Sequence, residues 1–185
     1  IERCQLFNLV AWSAEAFEHY GNLYREKQEF ERANEYYERA ARTYDEARIS
    51  LNRTELLEER ALLSLQIGDF GAAQAQIDRL ISGRPREKDE LAFFTASLTR
   101  GRILTARAEY QTAYADISNA LEYFHGHGLY YYETQASMAI ALCDFSLGNE
   151  RGMLERLRRV VDLSVRYDYE YWLKSKIAKY PEIFS

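Results

Sequence analysis

The sequence predicts an all-α fold: antiparallel helix hairpins arrayed as an α-solenoid with a 40-residue repeat, closed by a C-terminal capping helix. Three observations predict it. Only two prolines and nine glycines interrupt 185 residues rich in Glu, Arg, Ala and Leu, a composition that favours long helices and short connections. Four turns recur at one unbroken interval of 40 residues: Gln28-Glu29-Phe30, Gly68-Asp69-Phe70, Ala108-Glu109-Tyr110 and Gly148-Asn149-Glu150. Shortly after each turn comes a slim residue, Ala33, Ala73, Ala113 or Met153, again 40 residues apart.

The elements follow in order. First helices are expected near 8–27, 51–67, 88–107 and 129–147, and second helices near 30–47, 70–82, 110–124 and 150–167. The repeats run roughly 8–47, 48–87, 88–127 and 128–167 within a single domain, 1–185, and a terminal segment, 168–185, holds a last helix that stops at Pro181. Ser82-Gly83-Arg84-Pro85 and His125-Gly126-His127-Gly128 read as breaker-rich links between repeats. Second helices carry a buried stripe at helical spacing: Ala33, Tyr37, Ala40, Ala41 and Tyr44, then Ala113, Ile117, Ala120, Leu121 and Phe124. First helices carry a small residue of their own, Gly21, Ala61, Gly101 or Ala141. A glycine inside a helix costs about 1 kcal/mol relative to alanine, so Gly21 and Gly101 predict a close helix crossing that offsets the loss. In the fourth repeat Glu150 replaces the aromatic and Met153 the alanine, as expected of an end unit.

Charge weighs against one class of partner. The net charge of −5 leaves no basic footprint for a nucleic-acid backbone. Residues 1–60 hold 13 acids and 9 bases, whereas residues 151–185 hold 5 acids and 8 bases, a basic end that reads first as solvated helix surface. Cys4 and Cys143 are too few and too distant for a disulfide framework, which points to a reducing compartment. No apolar run approaches the roughly 20 residues of a membrane span, and no signal peptide is expected among these residues. With Ile1 rather than Met at the start, the chain is expected to be part of a longer cytoplasmic protein, with no membrane partner.

Catalytic signatures are missing from the sequence: no nucleophile elbow, phosphate loop or dinucleotide fingerprint. No enzyme activity, cofactor or metal is expected. His125 and His127 form an H-x-H pair, but a metal needs a third ligand and none is adjacent, so the pair reads as an exposed turn. His19 reads as a surface residue. Glu35/Arg39 and Glu38/Arg42 sit at helical spacing and read as solvated ion pairs. Arg156, Arg158 and Arg159 form the densest basic cluster. A solvated outer face is the first reading there, and a phosphate or DNA contact the alternative. Tyr130, Tyr131 and Tyr132 are consecutive and cannot all point inward, so at least one faces solvent or a partner.

Stacked hairpins curve, with first helices lining the concave side. The groove candidates are therefore first-helix residues set away from the hairpin seam: Asn22, Arg25, Leu62, Gln66, Arg102, Thr105, Met138 and Phe145. Asn22, Arg25 and Arg102 offer donors for a carboxylate, peptide backbone or phosphate. Leu62, Met138 and Phe145 offer apolar contact.

Phe17-x2-Tyr20-Gly21-x2-Tyr24 followed by Ala33-x3-Tyr37 resembles the tetratricopeptide (TPR) signature, with Phe in place of the leading Trp. Ala73 and Pro85 repeat the end of that signature, and the third repeat keeps Gly101, Ala113 and Ala120. The resemblance implies a right-handed superhelix. TPR units run about 34 residues, so the repeat here has longer helices. Some TPR modules clamp a C-terminal carboxylate with Lys and Asn on successive first helices. Asn22 matches one such position, but Glu18 and Glu59 stand where a carboxylate would be repelled, which excludes that reading.

The repeat length, with Tyr167-Asp168-Tyr169-Glu170-Tyr171-Trp172-Leu173 and Pro181-Glu182-Ile183-Phe184 at the end, resembles the repeat region of MalT-type, LuxR-like ATP-dependent bacterial transcription regulators. That resemblance implies a sensor domain that binds a small inducer, peptide or protein. Its neighbours in the parent chain would be an ATP-binding switch and a DNA-binding or activation domain. A free-standing scaffold for protein assembly is the alternative.

Overall fold

The computed structural model describes residues 2–48, 53–83, 86 and 89–184, apart from the side chains of residues 2–8, 53 and 54. Among the described residues there are nine α-helices and no strand. They are α1 (Glu2–Glu26), α2 (Phe30–Glu46), α3 (Arg53–Gln66), α4 (Phe70–Gly83), α5 (Glu90–Ala106), α6 (Tyr110–Gly126), α7 (Tyr130–Ser146), α8 (Glu150–Arg166) and α9 (Glu170–Lys179). A 3-10 turn, Pro181–Ile183, follows α9. The chain divides into two compact units, Ile1–Pro85 and Arg86–Ser185. Within each unit consecutive helices pack on one another, as a helical repeat array requires.

The helices end for a reason that recurs every 20 residues. Gln28, Arg48, Gly68, Ala108, Gly128, Gly148 and Asp168 all hold a positive φ between 56° and 83°. At Gln28 the backbone N–H donates to the Arg25 carbonyl, and the Glu29 N–H reaches back to Tyr24. The same pair of bonds recurs at Gly68, Ala108, Gly128 and Gly148. Such a left-handed residue satisfies the last carbonyls and reverses the chain. The next helix starts almost at once, and at Asp69, Asp89 and Asn149 the side chain caps it by accepting from the N–H three residues on. The 40-residue repeat is thus two 20-residue halves, each a helix and a short turn.

Two expected links are shorter than anticipated. Helix α6 continues through His125 and Gly126, because the reversal falls at Gly128 (φ 66°) rather than at the first glycine. Helix α4 likewise includes Ser82 and Gly83, while Arg84 and Pro85 lie outside the described residues. Cys4 also falls there as a side chain, and Cys143 is a buried free thiol.

In the first unit, Ala33, Tyr37, Ala40 and Tyr44 of α2 are fully buried, and they join Ala14 of α1 with Leu56 and Leu63 of α3 in one core. Gly21 explains how close the helices come: a Cβ there would run into the Tyr37 ring. In the second unit Ala113, Ile117, Ala120 and Phe124 of α6 meet Phe94 and Leu98 of α5 and Ala136, Ala139, Ile140 and Cys143 of α7. A Cβ at Gly101 would strike Ile117 and lie 3.3 Å from the Ala113 carbonyl oxygen. The glycines therefore sit where backbones nearly touch, and packing outweighs their propensity cost. Helix α7 is buried on several sides at once. Its Met138 and Ala141 belong to a further cluster, with Leu157 and Val160 of α8, Leu173 of α9 and Ile183. The final helix and the 3-10 turn thus cover the end of the array.

Candidate functional site

The eight residues proposed to line a groove divide evenly between the units, so each half is described separately. In the first unit Asn22 and Arg25 of α1 face a polar seam with α2 and α3. The Tyr37 hydroxyl donates to Asn22 Oδ1 at 2.6 Å, and Arg25, 8% exposed, meets Glu59 at 3.1 Å and Glu26 at 3.4 Å. Both side chains are engaged within the fold. Glu18 lies in the same seam, 6% exposed, and accepts from the Tyr44 hydroxyl at 3.2 Å. Burial, and next the charges of Glu55 and Glu59, push its carboxyl up to about 7. Burial also pushes the Tyr37 phenol up. On α3, Leu62 is half-buried and Gln66 exposed.

In the second unit Arg102 and Thr105 of α5 are half-buried. The Thr105 hydroxyl donates to the Gly101 carbonyl at 2.9 Å and lies 3.2 Å from Cys143 Sγ. Burial raises the pKa of that thiol, which suits an inert core cysteine. Met138, 3% exposed, is a core side chain between α7 and α8, and Phe145 is 45% exposed near the end of α7.

Of the tyrosine trio, Tyr132 packs on Phe124, Tyr130 stacks on Tyr167 at 4.2 Å, and Tyr131 meets Tyr169 edge-on at 5.4 Å. The hydrogen bond that the Tyr167 hydroxyl makes with Tyr130 holds its proton in place and raises the Tyr167 phenol. The three consecutive side chains diverge, as helical geometry demands.

A different set of residues builds a cavity. A groove of about 630 Å³ opens among α6, α7 and α8, and none of the eight nominated residues lines it. Glu133, 2% exposed, sits in the first turn of α7. Its Oε1 accepts from Arg159 Nε at 2.8 Å and lies 2.7 Å from a second guanidinium nitrogen of the same residue. His125 Nδ1, from the last turn of α6, is 3.2 Å from the same oxygen. One carboxylate thereby ties three helices together at the groove. A charge so deep is tolerable only because a guanidinium neutralises it.

Three features of the groove are left open, the first being Glu133 Oε2, which is buried with no hydrogen-bond partner. One turn along α7, Ser137 is 1% exposed and its hydroxyl meets no hydrogen-bond partner, although it lines the groove. Buried hydroxyls are normally satisfied, so an unmet one marks a place where a partner is wanted. On α8, Arg156 and Arg158 also line the groove, and neither has a carboxylate within ion-pair distance among the described residues. Arg159, by contrast, is fully occupied by Glu133 and Asp162. Ser, His and Glu thus share one groove, but the Ser137 hydroxyl does not touch His125. Imidazole and hydroxyl are not in proton-transfer contact.

The sequence singled out His125 and the arginine cluster but missed Glu133 and Ser137. Glu133 looks like an ordinary first-turn acid, favoured there by the helix dipole. Its partners lie 8 and 26 residues away, on other helices.

Among the described residues there is no group of three or more His, Cys, Asp and Glu placed to hold a metal. No described helix is long and apolar enough to cross a membrane. Compared with known proteins, the chain matches no family model, and no curated protein matches it.

Proposed function

We propose that the chain is a non-catalytic binding module, a TPR-like array with right-handed superhelical twist, and that its effector docks in the groove among α6, α7 and α8. The observation that carries this reading is the groove itself: about 630 Å³, with the unmet Ser137 hydroxyl in its floor and the unpaired Arg156 at its wall. Ligand pockets typically span about 300–1,000 Å³ and fix orientation with a few polar groups. Arg156 and Arg158 offer donors for a carboxylate or phosphate, and Glu122 and Glu155 on the same lining offer acceptors, so the effector carries charged groups of both kinds, on a small molecule or a peptide.

The setting we propose is the one implied by the resemblance of the repeat length and the C-terminal segment. The module would sense its effector within a cytoplasmic bacterial transcription regulator, and differential binding would shift the population of neighbouring domains.

A thermal-shift screen of anionic and zwitterionic metabolites, paired with selection from a displayed peptide library, supplies a ligand for the test, since binding stabilises by mass action. Ser137→Ala and Arg156→Ala should each weaken a true effector by tenfold or more, on the order of 1.4 kcal/mol. Ser137→Ala should not destabilise the free protein, because the lost hydroxyl has no partner. A ligand that binds both variants as tightly as the parent sinks the groove assignment.

A further inference from the structure

The deepest polar atoms of the groove among α6, α7 and α8 call for a hydrogen-bond donor. Glu133 and Ser137 are 2% and 1% exposed and both line the groove. They sit four residues apart on α7, which puts them on one face with roughly 5–6 Å between their Cβ atoms. Arg159 and His125 both meet Glu133 Oε1, while Glu133 Oε2 and Ser137 Oγ are buried and unmet. A carboxylate oxygen only accepts, and a hydroxyl both accepts and donates. Whatever satisfies the pair must bring an N–H or O–H, and a group with several donors on one atom serves both.

Charge selects among the donors. Four carboxylates line the groove, Glu122, Glu133, Glu155 and Asp162, against the three guanidiniums of Arg156, Arg158 and Arg159. The excess is negative, which favours a cationic donor over a neutral hydroxyl. A charge-assisted hydrogen bond is also roughly twice as strong as a neutral one. An ammonium supplies both the charge and three N–H donors.

The other end of the ligand follows from helix register. Glu133, in the first turn of α7, meets Arg159 in the second half of α8, as antiparallel neighbours do. From that pair, Ser137 lies about 6 Å further along α7, and Arg156 lies about 4.5 Å back along α8, in the same direction. Ser137 and Arg156 are therefore nearly level. Arg156 is half-buried, with no carboxylate within ion-pair distance among the described residues. An ammonium resting between Glu133 and Ser137 thus has a guanidinium nearby for an anion joined to it by a short spacer. In an α-amino acid a single carbon joins the two groups. Leu121 alone is apolar among the described lining residues, so the rest of the ligand is small or polar.

Resting on the groove as the binding site, we propose that its ligand is an α-amino acid with a small or polar side chain. Its ammonium bonds Glu133 Oε2 and Ser137 Oγ, and its carboxylate bonds Arg156.

The probes are glycine, L-alanine, L-serine, L-glutamine and L-glutamate, each titrated into the whole chain while its backbone amides are followed by nuclear magnetic resonance. At least one should saturably move amides at Glu133–Ser137 and around Arg156. Its N-acetyl form loses the ammonium and its primary amide loses the carboxylate, and each should bind about tenfold or more weakly. In Arg156→Ala the free acid and its primary amide should bind alike, an equality that a change in fold would not produce. An N-acetyl form that binds as tightly as the free amine overturns the inference, as it would if a water stayed between Glu133 and Ser137. So does an amino acid that moves only amides outside the groove. If none of the five moves the groove amides but another ligand does, a neutral polyol for example, the inference falls and the groove stands. If no ligand of any class moves them, the groove reading falls as well.

Discussion

Replacing glycine by alanine should have opposite effects at two helical sites of the second unit. In a helix interior the change gains about 0.8–1.0 kcal/mol of intrinsic propensity. At Gly126, on α6, nothing lies within 4 Å of the added Cβ, so the gain survives. Because Gly126 is the last residue of its helix, about 0.5 kcal/mol is expected there. At Gly101 the added Cβ would run into the Ile117 side chain and sit 3.3 Å from a backbone oxygen of α6. Ile117 is fully buried and cannot swing away, so α5 and α6 must separate. Overpacking of this kind costs about 1–3 kcal/mol, and the upper figure applies where backbone is one of the neighbours. The net expectation is a loss of about 2 kcal/mol for Gly101→Ala, after subtracting the propensity gain. Urea denaturation followed by far-UV circular dichroism measures both variants. Ile117→Val in the Gly101→Ala background should recover part of the loss, a coupling that a double-mutant cycle isolates. If Gly101→Ala and Gly126→Ala stabilise alike, the close crossing of α5 and α6 is wrong.

Three further outcomes follow from the buried charges and the seam. Arg159→Ala strands the Glu133 carboxylate and should cost about 2–3 kcal/mol, the low side of a broken buried pair, because Arg159 is 35% exposed and partly screened. Adding Glu133→Gln should restore much of this in the same urea assay. Glu18 titrates near 7 in the fold, above its ordinary 4.5, so the folded state holds the extra proton in that window. Stability should therefore fall as pH rises from about 4.5 to 7 and level off above, by about 2 kcal/mol after discounting solvent screening. Glu18→Gln should remove that slope, and an unchanged slope would contradict the seam. Ala113→Glu forces a charge into the fully buried contact between α5 and α6 and should cost more than about 3 kcal/mol. An unchanged denaturation midpoint would show that the repeat register is misplaced.

The array was legible because its signals are local and repeated. Ala33, Ala73 and Ala113 are all fully buried, on the stripe that helical spacing assigns them. Gly21 and Gly101 betrayed the close crossings through their cost alone. The 20-residue half-period was hidden because Gln28, Arg48, Ala108 and Asp168 occupy left-handed turns where glycine is the usual signal. His125 and Gly126 misled for the opposite reason, since a glycine near a helix end need not be the reversing residue.

The groove was the least legible feature. Asn22 and Arg25 look available on a first helix, but the fold uses their polar atoms for Tyr37 and Glu59. No spacing rule connects Glu133 with Arg159 or marks Ser137 as unmet, because those relations arise only when α6, α7 and α8 pack. Of the arginine cluster, Arg156 and Arg159, three residues apart, are half-buried, and Arg158 is exposed.

Whether the groove among α6, α7 and α8 is where this protein binds can be asked most directly by nuclear magnetic resonance. The isotope-labelled chain would be titrated with a ligand from the screen while its backbone amides are followed. Shifts concentrated at Ser118–Glu122, Glu133–Ser137 and Glu155–Asp162, and lost in Arg156→Ala, are expected if the groove binds. Shifts that leave those segments unmoved and gather instead around Asn22, Arg25, Leu62 and Gln66 would contradict it.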